Sequence, residues 1–161
     1  MAQREGLLAP VEAWWESLPL LTWETVSGGR PDRVAVALFG PEEKEVPAVR
    51  SLALHARAAG AHLDRFPDPL IPGAQPLFSH RSWEAWLSSG VDTVLLVGSL
   101  SLPSLIYGGL LGRVMAMQTQ PLLRTILPLA QLDLRPSPLE RPCLFQMAQA
   151  GVEVVRGIAI P

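Results

Sequence analysis

The segment Gly98-Ser99-Leu100-Ser101-Leu102-Pro103-Ser104 sets three hydroxyls and a run of backbone amides between an apolar stretch and a helical pattern. A helix N-terminus carries unpaired N–H donors and partial positive charge, so such a turn suits a phosphate. The same serines can instead act only as helix caps. Gly40-Pro41 ends an earlier apolar stretch, Arg33 to Phe39, in the same manner. In a parallel sheet both turns leave one edge, the edge at which open α/β sheets bind ligands. His80 follows a proline-rich loop. It is placed either to enter that crevice as a proton donor or to sit on the surface at a helix start.

Other chemistry is sparse. Gly40-Pro41 lacks the glycine run and the terminal Lys-Ser/Thr of a P-loop. His55 falls within a helical pattern and His62 near a strand start, and neither has an HExxH-type companion. Cys143 is the single cysteine, so an intrachain disulfide or a cysteine-based metal cluster is excluded. It stands behind Pro142 at a helix start, where thiols can be activated, although a small buried hydrophobe is the commoner use. No serine sits in a nucleophile elbow, and the scattered carboxylates form no acid/base pair. The pairs Trp14/Trp15 and Trp83/Trp86 read as packing area rather than as a cofactor-stacking box.

These residues must be positioned by alternating strands and helices. Leu7, Leu8, Val11, Trp14, Trp15 and Leu18 recur at helical spacing ahead of Pro19. Ser27 to Pro31 is a break, and Arg33 to Phe39 reads as a buried strand. Glu42, Glu43 and Glu45 are expected in the first turn of the following helix, which runs through Val49, Leu52, Ala53 and Ala56 to Gly60. Ala61 to Phe66 is a second strand, and Ser79 opens a helix carrying Trp83, Trp86 and Leu87. Asp92 to Val97 is a third strand, apolar throughout and so covered on both faces. One or two helices are expected between Gly112 and Ala130, broken at Pro121 and Pro128. Pro142 to Ala150 is a helix and Val152 to Arg156 a last strand. The recurrent helix-Gly-strand units (AAGAHLDRF, LSSGVDTVLLV, AQAGVEVV) predict a mainly parallel three-layer α/β sheet with right-handed crossovers.

Composition bounds the class. With 161 residues, 48% of them hydrophobic and 17% charged, the chain can bury one real core. A net charge of −2 without a basic block argues against nucleic acid and anionic membranes as partners. Thr93 to Gly112 is uncharged and just long enough to span a bilayer, but its glycines, Pro103 and serines fit a strand, a turn and a helix better. The N-terminus has no apolar signal region, so a cytoplasmic protein is expected. Twelve arginines against Lys44 alone is a bias without an evident chemical purpose.

The stretch SHRSWEAWLSSGVDTVLLVGSLSLPSLIYGGLLGRVM resembles the family of homo-oligomeric flavin-containing cysteine decarboxylases. His80, Asp92, Ser99, Ser101 and Ser104 fall near the family's histidine, its Asp-initiated strand and its hydroxyl-rich loop. A looser likeness extends from Val34 to Val155. The resemblance implies a Rossmann-like or flavodoxin-like fold, FMN at the strand ends, and a homotrimer or larger assembly. Pro103-Ser104 stands where the family has Asn-Thr, Gly98 stands where it has proline, and the spacing from His80 is longer. Losing the asparagine removes a side chain expected to engage substrate.

The expectation is therefore an FMN-binding flavoprotein with a redox or electron-transfer role, an oxidoreductase more than a decarboxylase. Gly40, Pro41, Gly98, Ser99, Ser101 and Ser104 would hold the cofactor, and His80 would be the catalytic candidate. The alternatives are a scaffold or interaction protein that keeps the fold without the flavin, and a decarboxylase using His80. Residues 1–28 are expected as an amphipathic N-terminal extension that packs on the domain or docks a partner, and 29–161 as a single α/β domain.

Overall fold

Val34 to Phe39 and Thr93 to Gly98 are buried at every position, as strands covered on both faces must be. The computed structural model describes residues 2–68, 81–98, 123–132 and 136–161. In chain order these form α1 (Ala2–Glu16), β1 (Leu20–Thr22), α2 (Trp23–Ser27), β2 (Val34–Phe39), α3 (Pro47–Ala59) and β3 (His62–Phe66). Then follow α4 (Arg81–Ser88), β4 (Thr93–Gly98), β5 (Arg124–Pro128), α5 (Arg141–Gln149), β6 (Val152–Val155) and β7 (Gly157–Ala159).

β2 to β6 make one parallel sheet in the order β3-β2-β4-β5-β6, flanked by helices. This is an α/β fold of Rossmann-like or flavodoxin-like kind. α3 shows why the local sequence folds as it does. Pro47 opens it, Val49, Leu52 and Ala56 bury one face, and Gly60 closes it with φ 98°. The core runs from Leu52 and Ala56 through β2 and β4 to Leu144 and Met147 of α5.

Residues 1–28 contribute to that core. Leu18, Trp23 and Val26 are buried, and β1 pairs in parallel with β7 in a separate two-stranded sheet. Trp14 of α1 meets Phe145 of α5 edge-on at 5.4 Å. A capping box between Thr22 and Thr25 starts α2.

Three local expectations need correction. Glu42 and Glu43 lie in a 3₁₀ turn and Glu45 just behind it, all before α3 begins. The cause is Pro47, which holds Val46 extended at ψ 154° and so delays the helix. The stretch expected as helix around Leu122 to Leu127 contains β5 instead. Pairing with β4 and β6 on either side overrides its ambiguous apolar pattern, and Pro128 falls at the strand's end. Cys143 is exposed on α5 rather than buried, since Leu144 and Met147 take the inward positions.

Candidate functional site

The chain reverses its direction of travel across the sheet between β2 and β4. From β2 it moves outward to β3, then returns past β2 to β4, β5 and β6. Such a reversal opens a crevice outside the carboxyl ends of the two strands, because right-handed crossovers in opposite directions carry their helices to opposite faces. Phe39 and Gly98 are register partners at that edge. The ends of β2 and β4 are therefore adjacent. Gly40-Pro41 and Gly98, both singled out from the sequence, stand at these ends.

Gly98 fits there because nothing larger can. A Cβ on Gly98 would lie 2.1 Å from the carbonyl oxygen of Phe39, closer than any side-chain carbon can approach. Gly40 has φ 89°, a left-handed conformation that glycine adopts without strain. Its N–H donates to the carbonyl of Phe66 at 3.0 Å, and its carbonyl accepts from Arg65 Nη1 at 2.7 Å. Neither backbone group of Gly40 is thus left for a ligand at this edge, and Pro41 brings no donor.

Arg65 and Glu45 hold this turn, and the sequence did not mark them as site residues. Arg65 Nη2 pairs with Glu45 Oε1, whose side chain is only 4% exposed. A charge-assisted pair bridging β3 to the turn after β2 fixes where that turn sits. The only hint in the sequence was an arginine near the end of a strand. Glu42, Glu43 and Lys44 are exposed in the same turn.

His80, Ser99, Ser101, Pro103 and Ser104 lie outside the described residues. His55 packs edge-on against Trp23 with ring centroids 5.2 Å apart, and its Nε2 is buried without a hydrogen-bond partner. Trp86 and Phe66 meet at 5.5 Å beneath the same sheet edge as Phe39, which lies 5.7 Å from Phe66. Among the described residues no group of three or more His, Cys, Asp or Glu could hold a metal ion. No helix among them is long and apolar enough to cross a membrane. The start of the uncharged run, Thr93 to Gly98, is β4 of the sheet.

Comparison with family models, curated proteins and solved structures finds no match to this chain.

Proposed function

We propose that the chain is an FMN-binding flavoprotein with an electron-transfer or redox role. The observation that carries this reading is the strand reversal between β2 and β4, which makes neighbours of Phe39-Gly40 and Gly98 at the carboxyl edge. Counted within the five-stranded sheet the strand order is the flavodoxin-like one. Open sheets of that order take their ligand at the switch point, as flavodoxin itself takes FMN. Ser99, Ser101 and Ser104 continue directly from Gly98 and are the residues to hold the phosphate and ribityl chain. Gly40 and Pro41 border the cofactor by shape. Bound FMN would supply one- and two-electron chemistry, and the protein would position it and exclude water. The same reading carries a cytoplasmic homo-oligomer.

The test is direct. Purified protein should show a flavin absorption band and release FMN on denaturation, or take up added FMN with quenching of its fluorescence. A colourless protein that leaves FMN fluorescence unchanged would overturn the reading.

A second reading is a domain that keeps this fold for protein interaction. It is favoured by the internal use of both backbone groups of Gly40. Flavin-dependent decarboxylation is the least supported, with His80 as its catalytic residue. Exchange of His80 for Asn should then abolish turnover with flavin still bound.

A further inference from the structure

A cavity of about 420 Å³ opens at the carboxyl ends of β5 and β6, two strands along from the switch point. Trp15, Leu18, Leu129 and Pro136 give it apolar walls, and Arg141 and Arg156 give it two cations. The size and the mix of apolar surface with a few polar groups are those of a small-molecule site.

The charges are set out unevenly. Arg141 Nη1 pairs with Glu12 Oε2 at 2.7 Å, and its guanidinium lies 4.8 Å from the centre of the Trp15 ring. Those two contacts hold the group in place while its Nε, enclosed, has no hydrogen-bond partner. Arg156 gives one bond from Nη2 to the carbonyl of Leu18 at 3.1 Å and pairs with no carboxylate among the described residues. Glu140, next to Arg141 in sequence, accepts at Oε1 from the N–H of Ser137 at 3.1 Å. Arg141 with Glu12 is neutral as a pair, so among the described lining residues about one positive charge is left, on Arg156.

We propose that this cavity binds a small organic monocarboxylate with an apolar body. The guanidinium of Arg156 meets the carboxylate, for which its planar fork is shaped. Trp15, Leu18, Leu129 and Pro136 cover the apolar part. One surplus charge and mostly apolar walls favour such a ligand over a compact dianion, which would bring a second charge and no apolar surface. The proposal does not depend on flavin at the switch point.

The test uses the full chain with three probes: benzoate, its uncharged analogue benzamide, and inorganic phosphate. Calorimetry and thermal unfolding should show saturable benzoate binding and a raised Tm. Benzamide and phosphate should each bind at least about tenfold more weakly. Exchange of Arg156 for Gln should weaken benzoate about tenfold or more and leave benzamide unchanged. Failure of benzoate to bind, equal binding of benzoate and benzamide, or phosphate binding as tightly as benzoate would each overturn the proposal. The probe comparison needs only the unaltered protein, so it decides the matter even where the Arg156 variant does not fold.

Discussion

Gln131 grips the backbone of Ile158 through both of that residue's polar groups. Its Oε1 accepts from the Ile158 N–H at 3.0 Å, and its Nε2 donates to the Ile158 carbonyl. All of this is buried. A side-chain amide thus does for β7 what a neighbouring strand would do, tying it to the turn after β5.

Truncating Gln131 to Ala leaves a buried N–H and a buried carbonyl unpaired, each costing about 1–3 kcal/mol. We expect a loss of about 2–4 kcal/mol in urea unfolding, with the loss persisting in Gln131→Met, which keeps the volume but not the bonds. A loss below about 0.5 kcal/mol would mean that pairing with β1 suffices to hold β7.

Gly98→Ala forces a carbon against the Phe39 carbonyl, and both atoms belong to central strands that cannot part cheaply. The expected cost is about 3 kcal/mol or more, seen as a lowered Tm. If the variant is as stable as the parent, the close approach of β2 and β4 is not required.

Exchange of Glu45 for Gln removes one charge of a pair whose carboxylate is almost wholly enclosed while Arg65 is a third exposed. Solvent on the Arg65 side tempers the effect, so we expect about 1–2 kcal/mol. On the proposed flavin reading, FMN affinity should fall with it, because Arg65 also holds the Gly40 carbonyl. Unchanged affinity with lowered stability would show that the turn does not border the cofactor.

Trp23→Ala opens a hole beside His55 in the part of the core that residues 1–28 supply. Chemical unfolding should show a loss of about 3–5 kcal/mol. Deletion of residues 1–28 should then abolish cooperative unfolding, and a deleted chain that still unfolds cooperatively would mark the segment as a detachable extension.

Arg124 and Glu153 bond side chain to side chain across β5 and β6 at 2.6 and 2.8 Å. The Arg124 pKa is raised, chiefly by that bond, against a lowering by partial burial and with further help from the charges of Glu153 and Asp92. A base with a raised folded pKa contributes stability that is present below its unfolded pKa and lost only as pH rises through the folded one. For a guanidinium that window lies far above neutrality, so the Arg124 contribution should be flat from about pH 6 to 9. A double-mutant cycle should give a coupling of about 0.2–1 kcal/mol that shrinks in high salt. A coupling that changes across that pH range would contradict the assignment.

Much of the sheet was legible in the sequence. Continuous apolar runs such as Val34 to Phe39 can be satisfied only where both faces are covered, and the helix-Gly-strand units already implied parallel pairing. Gly40-Pro41 and Gly98 were visible as strand ends for the same reason. β5 was not legible, because a short apolar run suits helix and strand alike until β4 and β6 offer their hydrogen bonds. β1 and β7 were missed too, each three residues long and stabilised by each other and by Gln131. Periodicity within a segment therefore determined the kind of fold. Other contacts join residues far apart in the chain: Arg65 with Glu45, which holds the turn after β2, and Arg141 with Glu12, in the cavity that Arg156 also lines. No local pattern encodes such pairs, because their energy exists only once the chain has brought them together.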